Sequence, residues 1–150
     1  MTKILELLKE ENCIVNQHVN DWQEAIHLSC KPMLEQGYCD EQYVEAIFES
    51  TAQYGPYYVI CENLALIHAS NKKGVNGTQL AVTVLDEAIK FAEGGLDVRV
   101  LVTLVAKDSE AHLEGMRAVA EIFSDEEKIN KILNATSGKE VYDLFVNNAC

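Results

Sequence analysis

The sequence predicts a single α/β domain in which a mixed central β-sheet is sandwiched by helices. The chain has 150 residues, of which 48% are hydrophobic, and this is enough for one packed core but too little for two ordinary domains. Stretches with a helical spacing of apolar residues occupy both ends, and short β-branched runs occupy the middle. Helices on either side of such a block of strands bury both faces of one sheet, so we expect residues 1–150 to form one domain.

The first twenty residues predict a short helix followed by a short strand. Ile4, Leu5, Leu7 and Leu8 have the spacing of an amphipathic N-terminal helix. The segment CIVNQHV, residues 13–19, is β-branched and predicts the strand.

A longer helix is predicted by NDWQEAIHLSCKPMLEQG. Asn20 or Asp21 is the candidate N-cap, and Gly37 is the stop signal at the other end. Pro32 interrupts the pattern, and we expect it to kink this helix.

The next helix is predicted by DEQYVEAIFESTAQYG and ends at Gly55. The apolar positions that we expect on one face of it are Tyr43, Ala46, Ile47 and Ala52.

The middle of the chain predicts strands and one polar loop. The short β-like runs are YYVIC at 57–61, LALIHA at 64–69 and TQLAVTVL at 78–85. SNKKGVNG, residues 70–77, is polar and contains glycine, so it predicts a loop. DVRVLVTLVA, residues 97–106, is long, β-branched and almost continuously apolar, as a central strand is. The segment at 86–95 stays open between one helical turn and an extended stretch.

The last third predicts three helices. The first is SEAHLEGMRAVAEIF, with Asp108 or Ser109 as the candidate N-cap. Capping-box spacing before the other two helices is found in the pairs Ser124 with Glu127 and Ser137 with Glu140.

The chain carries 24 acidic and 12 basic residues, a formal net charge of −12. Such a field repels nucleic acid and anionic membranes and would attract a protein partner with a basic face. The alternative, which composition alone slightly favours, is that the charge only aids solubility. No apolar stretch approaches the roughly 20 residues of a membrane span, and the N-terminus lacks the apolar core of a secretory signal. We therefore expect a cytoplasmic protein that binds neither nucleic acid nor membrane directly.

Five cysteines occur, and none of them forms a C-x-x-C pair. An odd count without such a pair argues against both a disulfide framework and a zinc knuckle. Most of these thiols are expected to fill the core.

Two of the four histidines stand in positions that suit chemistry. His68 closes a short apolar strand just before the polar loop, and His112 lies in the first turn of the helix that follows the strongest strand. If these two strands are neighbours, both imidazoles and a helix N-terminus converge at one edge of the sheet. A neutral ring nitrogen would then lie beside an anion site, which suits attack on a phosphoryl group.

Other interpretations of these histidines, as structural residues or as metal ligands, stay open. A histidine at a strand end is most often a structural residue with its hydrogen bonds satisfied. As metal ligands, His68 and His112 lack a third ligand at a fixed spacing. His18 and His27 are expected to be structural or to face solvent.

Two stretches carry a resemblance to a known family. QYGPYYVICENLALIHAS and VAKDSEAHLEGMRAVAEIFSDEEKINKILNATSGKEVYDL are similar to the enzyme IIA component (EIIA) of the bacterial sugar phosphotransferase system (PTS). The resemblance is to the mannitol/fructose-type superfamily and most of all to its ascorbate-type branch. It implies that His68 is the phosphoryl acceptor, as a tele-phosphohistidine, and that His112 stabilises the phosphoryl group. Ser70 and Ser109 are then candidates for the phosphate surroundings.

The resemblance also implies partners. The phosphocarrier protein HPr would donate the phosphoryl group, a cysteine of a separate IIB component would accept it, and the IIC transporter would be reached indirectly. No cofactor or metal is implied, and a homodimer is possible.

The sequence departs from the family pattern next to the acceptor. Ile67 stands where proline is usual before the histidine, and Ser70 stands where the ascorbate branch often has arginine, which Lys72 and Lys73 could replace. Two alternatives follow for the function: a regulatory phosphoacceptor of the same fold that signals through protein contacts, and a non-catalytic scaffold in which His68 is only packed.

Overall fold

The computed structural model describes residues 7–69 and 73–148, with the side chain of Asn148 excepted. Five strands and five helices are assigned within them. The strands are β1 (Leu8–Gln17), β2 (Val59–Cys61), β3 (Asn63–Ile67), β4 (Gln79–Lys90) and β5 (Asp97–Val105). The helices are α1 (Trp22–Glu35), α2 (Glu41–Tyr54), α3 (Ser109–Phe123), α4 (Glu126–Leu133) and α5 (Gly138–Asn148).

The strands form one mixed sheet in the order β1-β4-β5-β3-β2. β1 pairs parallel with β4 and β3 pairs parallel with β5, whereas β4 and β5 are antiparallel, as are β2 and β3. The apolar run that the sequence marked as central is β5, the middle strand. The carboxyl ends of β3 and β5 and the start of β4 therefore share one edge of the sheet.

Each face of the sheet has its own hydrophobic core. One core joins α1 and α2 to the side chains of one face, among them Val98 and Leu101 of β5. The other joins α3, α4 and α5 to the opposite face, among them Val100 and Val102. Alternate residues of a strand point to opposite faces, which is why β5 is apolar almost throughout. The predicted sandwich of helices around a mixed sheet is confirmed.

The predicted helix starts are mostly confirmed. The Asp21 side chain accepts the N–H of Glu24 and caps α1, and the Asp108 side chain accepts the N–H of Ala111 and caps α3. α1 continues through Pro32 to its end at Glu35.

One capping prediction is wrong. Asp125, not Ser124, caps α4, because its carboxylate accepts the N–H of Glu127 at 2.9 Å. The Ser124 hydroxyl instead donates to the carbonyl of Glu121, at the end of the preceding helix. The capping bond predicted before α5 is present, since the Ser137 hydroxyl accepts the N–H of Glu140.

Other boundaries differ from the sequence-based expectation or decide between alternatives that the sequence leaves open. The predicted N-terminal helix falls largely on residues 1–6, which lie outside the described residues, and Leu8 already belongs to β1. The segment at 86–95 is extended as far as Lys90, because Ile89 and Lys90 pair with Val98 and Asp97 of β5. Ala52 is exposed rather than on the buried face of α2.

No helix in the described part of the chain combines the length and the apolar character that a membrane span requires.

Candidate active site

His68 and His112, the histidine pair, lie side by side, each beyond the carboxyl end of one of two parallel strands. His68 follows β3 directly, and His112 stands in the first turns of α3, which begins four residues after β5 ends. Because β3 and β5 are adjacent and parallel, both carboxyl ends lie at the same edge of the sheet. The two imidazole centroids are 5.3 Å apart, with an angle of 59° between the ring planes. The predicted convergence of the two rings is confirmed.

The His68 ring is oriented by its own strand. Its Nδ1 atom lies 2.7 Å from the carbonyl oxygen of Leu66. A carbonyl oxygen only accepts hydrogen bonds, so Nδ1 carries the proton in this contact. In the neutral ring the lone pair then lies on Nε2, the nitrogen farther from the strand.

The surroundings of His68 favour its neutral form. The side chain is half-buried, and burial lowers its pKa from the ordinary 6.5. The nearby His112 lowers the pKa further, while the hydrogen bond to Leu66 acts in the opposite direction. A ring nitrogen that is uncharged at neutral pH is available as a nucleophile.

Tyr57 contacts His68 in two ways. Its hydroxyl donates a hydrogen bond of 2.5 Å to the backbone carbonyl of His68. Its ring meets the imidazole edge-on, with centroids 5.4 Å apart and an interplanar angle of 89°. Burial raises the pKa of this hydroxyl, so it stays protonated and remains a donor at neutral pH.

A second tyrosine reaches the same place from α2. The hydroxyl of Tyr43 donates to the carbonyl of Leu104 at 2.6 Å and accepts the N–H of Ala69 at 3.2 Å. Neither Tyr43 nor Tyr57 was singled out from the sequence as a site residue. The only sequence signal for Tyr57 is its position in QYGPYYVICENLALIHAS, one of the two stretches that resemble the family, and Tyr43 is predicted only as an apolar position on one face of its helix.

The start of α3 lies beside the histidine pair, but not all of its backbone N–H groups are available to bind an anion. The Asp108 carboxylate takes the N–H of Ala111 at 2.8 Å. Ser109 is exposed as the first residue of the helix. The backbone N–H of Lys107 donates to the Thr78 hydroxyl and so ties this loop to the start of β4. Ser70 and Lys72 lie outside the described residues.

The other two histidines lie in surroundings of the expected kind. His27 is exposed on α1, and its ring contacts that of Phe48. His18 is exposed after β1, with its Nδ1 atom 3.1 Å from Asp86. His18, Asp86 and Glu87 form the one group of three possible metal ligands found in the described residues. All three side chains are exposed. The group lies at the opposite edge of the sheet from His68, because β4 and β1 run toward that edge.

The sequence profile described as phosphoenolpyruvate-dependent sugar phosphotransferase system, EIIA 2, matches residues 6–148 of the chain. The ascorbate-specific PTS system EIIA component of Salmonella choleraesuis (strain SC-B67) is 30% identical over 146 residues. The match covers 95% of this chain and 95% of that protein.

Solved structures show the same architecture. The solution structure of the mannitol-specific cryptic phosphotransferase enzyme IIA from Escherichia coli matches with a TM-score of 0.88 at 30% identity. The match covers 97% of this chain and 99% of that one. The complex of enzyme IIAMTL and phosphorylated enzyme IIBMTL from Escherichia coli matches with a TM-score of 0.81 at 22% identity over 94% of this chain and 99% of that one, a likeness of fold. The predicted mannitol/fructose-type IIA fold is confirmed.

Proposed function

The chain belongs to the EIIA 2 family of the phosphoenolpyruvate-dependent sugar phosphotransferase system, and from this premise we propose that it carries a phosphoryl group on Nε2 of His68. The observation that carries the proposal is the hydrogen bond from Nδ1 of His68 to the carbonyl of Leu66. It leaves Nε2 as the nitrogen with the lone pair, in a ring whose pKa is lowered toward the neutral form. This is the nitrogen that a tele-phosphohistidine uses.

The proposed reaction is a pair of in-line transfers without redox change. The lone pair of His68 Nε2 attacks the phosphorus of phospho-HPr, the new N–P bond forms, and the donor nitrogen leaves with its electron pair. A cysteine thiolate of a separate IIB component then attacks the phosphorus, and the N–P bond to His68 breaks. Positioning and charge stabilisation supply the catalysis in such transfers, which agrees with a site that needs no cofactor or metal.

His112 is proposed to stabilise the phosphoryl group. Its ring lies 5.3 Å from that of His68, centroid to centroid, and is therefore within reach of oxygens on a phosphorus bonded to Nε2. A ring N–H that donates to these oxygens offsets the charge that develops during transfer. Ser109 at the start of α3, and Ser70 just after the acceptor, are proposed as further donors to the phosphate.

The partners follow from the same proposal. The Escherichia coli relative of 22% identity was solved with a phosphorylated IIB component, and a IIB protein is proposed as the acceptor here. HPr is proposed as the donor, and the net charge of −12 favours association with a basic donor face. The IIC transporter is reached only through IIB.

The proposal places the chain in the cytoplasm, with residues 1–150 acting as one EIIA domain. Since the relatives are named for ascorbate and for mannitol, the sugar whose uptake it supports is proposed to be ascorbate-like or related.

The test is an intact-mass experiment with phosphoenolpyruvate, enzyme I and HPr. We expect the wild-type chain to gain one phosphoryl group and His68→Ala to gain none. His112→Ala should gain it more slowly while keeping the wild-type circular dichroism spectrum. His27→Ala, in which the altered side chain is exposed on α1, is the matched control and should behave as wild type. No gain in the wild type, or an equal gain in His68→Ala, overturns the proposal.

A further inference from the structure

The peptide group between His68 and Ala69 is held on both sides by tyrosine hydroxyls. Tyr57 donates to its carbonyl oxygen at 2.5 Å, and Tyr43 accepts its N–H at 3.2 Å. β3 ends at Ile67, so this peptide group lies just beyond the strand. Two side chains from other parts of the chain thus satisfy the backbone at the point where the strand ends.

The Tyr43 hydroxyl also links the two strands of the site. While it accepts from Ala69, it donates to the carbonyl of Leu104 at 2.6 Å. Leu104 lies near the end of β5, and α3 with His112 begins shortly after. One buried hydroxyl therefore connects the backbone that carries His68 to the backbone that leads to His112.

We propose that Tyr43 and Tyr57, the tyrosine pair, are positioning residues that fix the His68 ring for phosphoryl transfer; this inference rests on the function proposed above. Ile67, unlike a proline, places no covalent constraint on the backbone before the acceptor, whereas the tyrosine pair restrains the backbone immediately after it by hydrogen bonds. The Tyr57 ring, edge-on to the imidazole, adds a steric limit on rotation of the acceptor ring.

The two tyrosines differ in what their hydroxyls satisfy. Removal of the Tyr57 hydroxyl takes a hydrogen bond from the His68 carbonyl and the contact with Ser50, but in a place that is only half-buried. Removal of the Tyr43 hydroxyl takes one hydrogen bond from the Leu104 carbonyl and one from the Ala69 N–H, around a side chain that is only 3% exposed. Unsatisfied buried polar groups are costly. Tyr43→Phe is therefore expected to loosen the site more than Tyr57→Phe does.

Tyr58→Phe provides a matched control. Tyr58 is adjacent in sequence to Tyr57 and fully buried, and its hydroxyl pairs with the Thr51 hydroxyl at 2.9 Å rather than with the His68–Ala69 peptide. Its replacement removes a buried hydrogen bond of similar kind while it leaves the tyrosine pair intact. If the three hydroxyls only stabilise the fold, Tyr58→Phe should slow phosphorylation as the two substitutions in the tyrosine pair do.

The experiment measures the initial rate of phosphorylation by phospho-HPr and, separately, the ¹⁵N chemical shifts of the His68 ring in the unphosphorylated chain. We expect Tyr57→Phe and Tyr43→Phe to lower the rate by about 10-fold or more, because small displacements of a reacting group have effects of this size. Both should also shift the Nδ1 and Nε2 signals toward a mixture of tautomers. Tyr58→Phe should leave rate and signals as in wild type.

Wild-type rates and signals in both Tyr57→Phe and Tyr43→Phe overturn the inference, as does an equal loss of rate in Tyr58→Phe. These outcomes leave the proposed function intact if the wild type is phosphorylated. If the wild type itself accepts no phosphoryl group, the proposed function fails and the positioning role for transfer fails with it. The ¹⁵N signals then still report whether the tyrosine pair orients the ring. If Tyr57→Phe does not fold, it is replaced by Ser50→Ala, which removes the hydrogen bond of Ser50 to the Tyr57 phenol and should give a smaller change of the same sign.

Discussion

The Nδ1 atom of His68 lies 2.7 Å from the carbonyl oxygen of Leu66, two residues earlier in the chain. The contact is local, so the end of β3 itself sets the direction of the imidazole and the place of its proton. Nε2 is left without a proton in the neutral ring, and the lowered pKa keeps the ring neutral through the physiological range. One hydrogen bond thus decides which nitrogen is available for the proposed transfer.

The pKa values of His68 and His18 should lie on opposite sides of the ordinary histidine pKa of 6.5. Burial and the nearby His112 lower the pKa of His68, whereas the Asp86 carboxylate raises the pKa of the exposed His18. A pH series of ¹H–¹⁵N spectra should therefore show His18 losing its proton at a higher pH than His68. Asp86→Asn should lower the pKa of His18 and leave that of His68 unchanged. A His68 midpoint above 6.5 contradicts the prediction.

The lowered pKa of His68 sets the pH dependence of both the phosphorylation rate and the stability of the fold. Below its folded pKa, His68 carries protons on both nitrogens and has no lone pair, so phosphorylation by phospho-HPr should fall only at pH values below 6.5. As the pH falls from 6.5 toward the folded pKa, the unfolded chain takes up a proton that the folded chain does not. The contribution of His68 to stability is therefore present above 6.5 and lost below it. In His68→Ala, unfolding measured across this window should lack that component.

The N-cap of α3 should affect transfer, while the N-cap of α4 should not. Asp108→Ala removes the bond to the N–H of Ala111 and should lower the free energy of unfolding by about 1 kcal/mol. It should also slow phosphorylation, because the first turn of α3 carries His112. Asp125→Ala removes the equivalent bond at α4 and should lower stability by a similar amount without slowing transfer.

Asp108→Asn separates the cap from the charge. The amide oxygen still accepts the N–H of Ala111, so stability should stay within a few tenths of a kcal/mol of wild type and transfer should not slow. Equal slowing in Asp108→Asn and Asp108→Ala means that the carboxylate charge, not the cap, supports transfer, which is contrary to this prediction.

The convergence of the histidine pair could be predicted on one condition, that β3 and β5 are parallel neighbours, because each histidine follows the end of one of these strands. LALIHA and DVRVLVTLVA each end at a polar stretch, and parallel neighbours bring such ends together. The tyrosine pair could not be found in this way. Tyr43 lies 26 residues from Ala69 and 61 from Leu104, so its role appears only when α2 packs on the sheet.

Local competition explains one mistaken boundary and one that the sequence leaves open. Ser124 and Asp125 are neighbours that both suit an N-cap, and the choice between them depends on where α3 ends. The segment after Leu85 contains acidic residues that resemble a helix start, yet pairing with the first residues of β5 keeps it extended. Pairing across a sheet is a tertiary property, which no local pattern encodes.

The amide pair of Asn12 and Gln36 should be energetically coupled. Asn12 is fully buried in β1, and its side chain exchanges two hydrogen bonds with that of Gln36 at the end of α1. A double-mutant cycle with Asn12→Ala and Gln36→Ala, measured by urea denaturation, should give a coupling of about 1 kcal/mol. Additive losses in the double variant would show that the pair contributes nothing beyond the separate side chains.

Glycine at position 74 should matter more than glycine at 37, although both have positive φ. A Cβ at Gly74, with φ of 76°, would lie 2.4 Å from Asp40 Oδ1 and 2.6 Å from the backbone nitrogen of Tyr43. At Gly37, with φ of 80°, a Cβ would meet nothing within 4 Å. Gly37→Ala should therefore lower the free energy of unfolding by about 1–2 kcal/mol, the cost of the left-handed backbone alone.

Gly74→Ala should lower the free energy of unfolding further. The added Cβ meets the backbone at the start of α2, and that backbone can move aside only if the whole helix moves. The carbonyl of Gly74 also accepts the N–H of Asp40, so the displaced loop loses that bond. Since Tyr43 stands at this point of α2, the same displacement disturbs its contact with Ala69, and phosphorylation should slow in Gly74→Ala but not in Gly37→Ala. Denaturation midpoints and transfer rates measured on both variants decide the matter. Equal losses of stability in the two variants would mean that the loop yields without moving α2.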